Sequence, residues 1–518
     1  MAESIRTQFE REDAERSSFL DLCRECAALT IPSILLPLGQ TAGGRIPITY
    51  QSIGADGLST LVSKVLVALF PPLGPWFRMS PGPQVREKAG AAGWQAFDDY
   101  LYGRELQLIS KFEKSNYRMV IRQCLESIFC VGNGLLQELD NYNYRSFRLD
   151  SWIPIRGSDG QILQIVVKEK VHVLELTDDQ LALCEIKRED VEKVGYSEQW
   201  KDQYTRARLQ RDGTWVITQE IKDKEFNRSE ERVSPFIPIG YIELSGENHA
   251  RGFIEERIGD LRSHNGLSKA LLDGYIAMTM LRPIFDSSKG YTTDAFTRPN
   301  GVPVEGRVEG ETPNGLAFLH TNKSMDMGGA LMGLTQIEKR LGKQMLMESA
   351  TQPQGERVTA YQVDRIRQEI DGALGGAFVN IAGELQIPLL KRLEHRMERD
   401  RLLIPIPAQF KKDVDISITT GLEALARQLS AQKLLGALQS VAQLPGALQE
   451  IRLDVAMREL FKGTGLSVDQ FFKTMAEKQA EQQAAIAQQA QVAANEQKAK
   501  TAGNLMEMAA ESQLQKPG

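Results

Sequence analysis

The stretch TQPQGERVTAYQVD, residues 351–364, interrupts an otherwise helical pattern with a polar Gln-Pro-Gln-Gly loop. Ahead of it, residues 325–347 place Met327, Leu331, Leu334, Leu341 and Met345 at alternating steps of four and three, with a gap at Glu338. That is a narrow apolar stripe suited to packing on a neighbouring helix. Behind it, Val358, Ile366, Ile370, Leu374, Phe378, Ile381 and Leu385 recur mostly at steps of four. Gly375, Gly376 and Gly383 lie inside that run and Pro388 removes a backbone donor, so a long helix bent near Ile387 is expected. The loop holds no histidine, no cysteine and no phosphate-cradling glycine pattern, so its role must lie in what it touches.

Working outward, residues 252–280 carry Ile254, Ile258, Leu261, Leu267, Leu271, Leu272 and Tyr275 at helical spacing, with Pro283 closing the run. Such a helix spans roughly 40 Å. Residues 283–320 are dense in Gly and Pro with short strand-like pieces, VPVEGRVEG and GLAFLH, and read as a small β module between two helices. Beyond residue 403 the chain reads as extended, ending in a strand at ISITTG, and residues 422–472 as mostly helical. The last stretch, 475–518, is biased to Ala, Gln, Glu and Lys, which favours a loosely held helix or disorder over a packed core.

The N-terminal half divides in two. Residues 6–29, 50–70 and 94–130 have helical periodicity, the last parted near Ser115 and Asn116. From residue 135 the character changes: 135–139, 146–155, 162–176, 204–209 and 215–221 are β-branched or alternating, joined by Gly157-Ser158-Asp159-Gly160 and Asp212-Gly213. Antiparallel sheet follows from those turns. The fold class is therefore α+β.

At 518 residues the chain is long enough for several domains and a sizeable core. A formal net charge of -6 argues against a protein whose main task is gripping nucleic acid, which needs a Lys/Arg surplus to neutralise phosphates. The charged start MAESIRTQFEREDAERSSF lacks the apolar core of a signal peptide and predicts a chain that is not exported. The run LVSKVLVALF, residues 61–70, is about half the length of a membrane span and contains Lys64, so it reads as a buried helix. Five cysteines favour a reducing compartment, and Cys23 and Cys26, one helical turn apart, read as packing thiols.

Catalytic motifs are missing from the sequence. Gly342-Lys343 has Ile337 and Gln344 where a phosphate loop needs Gly and Ser or Thr, which removes the phosphate-loop ATPase reading. His172, His249, His264, His320 and His395 are scattered without paired spacing. Gly157 to Gly160 is a hairpin turn, and the adjacent pairs Asp98-Asp99 and Glu255-Glu256 do not face one another on a helix. No enzyme activity, cofactor or metal is expected.

Four stretches in order, YQSIGADGLSTLVSKVLVALFP (50–71), IPIGYIELSGENHARGFIEERIGDLRS (237–263), GERVTAYQVDRIRQEIDGALGGAFVNIAGELQIPLL (355–390) and ISITTGLEALAR (416–427), resemble the portal, or head-to-tail connector, family of short-tailed bacteriophages. The resemblance spans roughly residues 10–470 and leaves 162–232 and the tail unmatched. It implies a homo-oligomeric ring, usually of twelve subunits, at one capsid vertex, forming the channel through which the genome is packaged and ejected. It further implies a wing (1–251), a first stem helix (252–282), a clip (283–320), a second stem helix (321–348) and a tunnel loop (349–356). A long bent helix with a return strand (357–420), a helical crown (421–474) and the Ala/Gln-rich tail (475–518) complete that division.

On this resemblance Gln352, Gln354, Gly355, Glu356 and Arg357 would face double-stranded DNA passing without sequence specificity, although TQPQ departs from the family stretch. An ordinary interhelical loop is the alternative. Arg298, Glu305, Arg307, Glu309 and Glu311 of the clip would dock the packaging ATPase (terminase) and later tail adaptor and nozzle proteins, unless they form a merely solvated β surface. Capsid and scaffolding proteins are further implied partners, and a membrane is not. The implied location is the virion, after assembly in the bacterial host cytoplasm. The competing readings are a DNA-processing enzyme of the packaging apparatus and an unrelated helix-rich intracellular scaffold.

Overall fold

A computed structural model describes residues 3–40, 48–71, 76–183, 199–279, 282–286, 308–309, 312–313, 316–319, 324–347, 368–370, 372–406, 414–418 and 434–440, with a few isolated positions besides. The chain forms two compact units: Met1–Trp94 with Arg104–Leu425, and Gln95–Gly103 with Ala426–Gly518.

The core of the first unit is built around α5 (Tyr117–Val131), because apolar residues cover most of its circumference and leave only the side of Arg118, Met119, Arg122 and Gln123 facing out. Tyr117, Val120, Ile121, Cys124, Leu125, Ile128, Phe129 and Cys130 are all buried. It packs against α2 (Ser17–Ala28), α3 (Ile53–Leu69), β2 (Asn133–Glu138) and β3 (Tyr144–Phe147). The helix stops at Gly132, whose φ of +81° only glycine adopts without strain, and a Cβ there would overlap the Ala250 carbonyl of a crossing segment. Strand β2 starts at the next residue and forms the centre of a three-stranded antiparallel sheet, between β3 and β9 (Phe236–Gly240).

A second sheet is a five-stranded antiparallel meander of β4 (Trp152–Arg156), β5 (Ile162–His172), β6 (Trp200–Leu209), β7 (Trp215–Ile221) and β8 (Lys224–Glu231). Its turns at Gly160 and Gly213 have φ of +81° and +84°, with Asp159 and Asp212 accepting from the backbone two residues on. The short helix α6 (Asp178–Leu183) lies between β5 and β6. Helix α1 (Ile5–Glu15) covers the sheet by setting Ile5 and Phe9 on Ile153, Val166 and Tyr204. The Ile5 amide also donates to Glu220 at 2.7 Å.

Two strands differ from the sequence reading. Residues 146–155 were expected as one strand, but a 3₁₀ turn at Leu149–Ser151 divides them between the two sheets. The buried Arg16 guanidinium holds that corner by donating to the carbonyls of Leu149 and Trp152, at 3.1 and 2.7 Å. Strand β8 was not expected. Its hairpin turn is Lys222-Asp223, with φ of +50° and +60°, so it has the primed-turn backbone without the Asn-Gly signal.

Helix α4 (Pro83–Glu113) leads into α5, and β1 (Phe77–Pro81) pairs with β14 (Val414–Ile418). After β9 the chain enters α7 (Ile258–Thr279), about 33 Å long, through a 3₁₀ turn at Glu255–Arg257. Pro283 does not cap that helix. It sits inside β10 (Arg282–Phe285), which pairs with β13 (Leu316–Leu319), while β11 (Val308–Glu309) pairs with β12 (Thr312–Pro313). Then come α8 (Ser324–Gln344), α9 (Gln368–Leu374) and α10 (Gly376–Arg399).

The expected bend falls elsewhere. Helices α9 and α10 meet at 105° at Gly375, whose φ of +55° breaks the helix, whereas Pro388 lies inside α10. A glycine in a left-handed conformation redirects the chain more sharply than a missing donor does. In the second unit the described residues include the middle of α4, where Phe97 and Tyr100 stack at 5.8 Å, and a short helical piece at 434–440.

Candidate functional site

Helix α3 is the element on which the two described ends beside residues 348–367 converge. Gly57 lies against Met345, and a Cβ at 57 would overlap the methionine sulfur. Two turns further along the same face is Lys64, fully buried, whose Nζ donates to the Leu346 carbonyl at 2.9 Å and to Glu369 Oε2 at 3.2 Å. Gln386 of α10 donates to the Leu69 carbonyl at the end of α3.

Leu346 is itself unusual. Met347 N bonds back to Gly342 O and Leu346 N to Lys343 O, closing α8 with the paired bonds of a glycine-type cap. Leu346 occupies the position that glycine normally takes, at φ +58°, which costs a branched residue about 1 kcal/mol. The surroundings must hold it there.

Helices α7 and α8 form an antiparallel hairpin. His264 Nε2 meets Glu338 Oε1 at 3.1 Å, Arg340 pairs with Asp260, and Gly274 receives Met327. Glu338, the gap in the apolar stripe, is thus opposite a nearly buried histidine. The hairpin buries Leu261 and Leu271 on α7 and Leu341 on α8, but Leu331 of the stripe is exposed, contrary to the pattern reading. Leu272, Tyr275, Ile276 and Met278 are also exposed, each by more than 40%, and so is Met332. Two helices cannot enclose an apolar stripe on their outer faces without a further partner.

A buried ionic lattice clamps α10. Arg104 pairs with Glu394 at 2.9 Å and with Glu398, Arg392 with Glu138 at 3.2 Å and with Glu231, and Arg396 with Asp140 at 2.6 Å. Burial pushes the Glu138 carboxyl up, and Arg392 and Arg396 offset part of that shift. Such lattices fix register more than they stabilise.

Most residues singled out for DNA contact or docking, namely Gln352, Gln354, Gly355, Glu356, Arg357, Arg298, Glu305, Arg307 and Glu311, lie outside the described residues. Glu309 is in β11, its backbone opposite Thr312. Cys23, Cys26, Cys124 and Cys130 are free and buried, and burial pushes all four thiols up, so the Cys-x-x-Cys pair sits in the core away from the conditions that favour a thiolate. His249 stacks on Phe19 beside Arg16, and burial first, then Arg16, holds it down at about 3. Among the described residues no metal-ligating cluster occurs and no single helix is long and apolar enough to cross a membrane. Sequence reasoning missed Lys64. Its signal was present as the one charge in LVSKVLVALF, taken only as evidence against a membrane span.

The family described as bacteriophage head to tail connecting protein matches residues 2–471. The chain belongs to this family. The connector is 28% identical over 508 residues to the portal protein of Escherichia phage T7, covering 93% of this chain and 90% of the relative. It is 28% identical to that of Enterobacteria phage T3, over 92% and 90% of the two chains, and 25% identical to that of Pseudomonas phage phiKMV, over 90% and 92%. Among solved structures, a chain from the neck of a native gene transfer agent particle, computed with C12 symmetry, matches 72% of the connector and 94% of itself at 13% identity, with a TM-score of 0.32. A likeness that low adds nothing to the assignment. The connector is a head-to-tail connecting protein of the podophage portal type.

Proposed function

We propose that the connector assembles with copies of itself into a ring of about twelve subunits, whose hole is the channel for double-stranded DNA at one capsid vertex. The observation that carries this reading is the α7–α8 hairpin, whose large apolar residues Leu272, Tyr275, Leu331 and Met332 stand exposed on its outer face. In a ring each hairpin would lie against its neighbours, and the contact closes by rotation.

In this reading α7 and α8 are the stem, β10 to β13 belong to the clip, residues 349–356 form the tunnel loop, and 1–251, 357–420 and 421–474 serve as wing, return segment and crown. Residues 475–518 remain a tail. Gln352, Gln354 and Arg357, with Gly355 and Glu356 beside them, meet the DNA. A polar loop with Glu356 next to Arg357 adds little net charge, and tight binding through six to ten phosphates would stall a moving duplex. The clip, with Arg298, Glu305, Arg307, Glu309 and Glu311, docks the packaging ATPase and then the tail adaptor and nozzle, while capsid and scaffolding proteins contact the assembly elsewhere. The connector does no chemistry, works in the virion and is assembled in the host cytoplasm.

Electron microscopy of the purified chain tests this. Rings with a hole wide enough for a duplex are expected. A homogeneous monomer, with or without a capsid scaffold protein, would overturn the reading. Deleting residues 291–312 should abolish adaptor binding and leave rings intact, and alanine at Gln352, Gln354 and Arg357 together should impair packaging or genome retention.

A further inference from the structure

We propose that Lys64 is a positioning residue: it fixes, relative to each other, the two backbone points from which residues 348–367 depart. A lysine with no exposed surface, inside the apolar run LVSKVLVALF, is costly to bury, and an apolar side chain of similar length would pack there at no such cost. The charge is therefore not explained by the stability of α3.

Its contacts supply the explanation. One ammonium group donates to the carbonyl of Leu346, at the end of α8, and to the carboxylate of Glu369, at the start of α9. An ammonium carries three donors and can serve acceptors from separate segments at once. Away from α3 both partners border a cavity of about 620 Å³, lined by Arg257, Arg340, Lys343, Leu346, Glu369 and Ala373. Leu346 is the residue held in a left-handed backbone conformation, so the segment's first anchor is one that relaxes once its restraint is removed. The platform under Lys64 is rigid by contrast: Gly54 abuts the Leu29 carbonyl and Gly57 abuts Met345, so α3 cannot slide.

What residues 348–367 meet rests on the channel reading, whereas the anchoring of their ends does not. The test uses the full-length assembled connector and measures trypsin cleavage at Arg357 alongside the melting temperature. Lys64→Met should raise the cleavage rate by roughly tenfold, the scale of losing a charge-assisted bond, without lowering the melting temperature. Glu369→Ala should raise it several-fold. The double variant should cleave no faster than Lys64→Met, since Lys64→Met already removes the contact that Glu369→Ala removes. If Lys64→Met fails to fold, Glu369→Ala carries the test alone, because Glu369 is partly exposed and outside the core. Unchanged cleavage in the variants that fold would overturn the proposal, and so would effects that multiply as for independent sites. Imaging the same samples for rings reports the channel reading separately.

Discussion

The region around α5 and the hairpin of α7 and α8 are both helical, yet they solve the burial problem in opposite ways. Helix α5 buries most of its surface against α2, α3, β2 and β3, and its surroundings are fitted at the level of single atoms, as at Gly132 and Gly134. The hairpin has one narrow seam, closed by a His264–Glu338 pair and a few leucines, and leaves large apolar side chains on its outside. The first arrangement is complete in one chain, and the second leaves an apolar face that the proposed ring would cover.

That contrast can be broken most forcefully at α5. Gly132→Val places a side chain against Ala250 O and 2.7 Å from Arg251 C, so a loss of about 4 kcal/mol or more is expected, seen as failure to recover folded protein. Next in size is the lattice on α10. Glu138→Leu leaves Arg392 and Arg396 sharing only their outer partners, and a loss of roughly 3 kcal/mol in urea unfolding is expected. A near wild-type midpoint would show that Glu231 and Asp140 suffice.

Acid should act on the enclosed region through His249. Its folded value of about 3 is below its ordinary 6.5, so between those values the unfolded chain binds the extra proton. The stabilising contribution is whole above pH 6.5 and is lost as pH falls toward 3, about 2 kcal/mol of it by pH 5. His249→Phe keeps the stack on Phe19 and should flatten the melting temperature over that window. Smaller still, Arg401→Gly should stabilise by about 0.5 kcal/mol, because Arg401 closes α10 at φ +57° where glycine is unstrained. Smallest for the monomer are Leu272→Ser and Ile276→Ser, expected within about 0.5 kcal/mol of wild type because both side chains are already exposed.

How much could be read beforehand follows the same division. Helices α3 and α5 and strands β2, β5 and β7 were legible because their apolar period is local and strong. Strand β8 was not, since Lys222-Asp223 adopts a turn that those residues rarely enter, and the β3–β4 corner depends on Arg16, far away in sequence. The Gly375 break was hidden among three glycines that offered no ranking. At the site, Lys64 was visible as an anomaly in an apolar run, but its partners Leu346 and Glu369 are contacts of tertiary structure that no spacing announces.

The mass of the particle formed by wild type, beside that of the variant carrying both Leu272→Ser and Ile276→Ser, tests the central claim most directly. Mass photometry should find wild type near twelve chains and the variant as folded monomers with an unchanged melting temperature. A variant that still assembles to the wild-type mass would contradict the claim that the outer face of the hairpin is where neighbouring connectors meet.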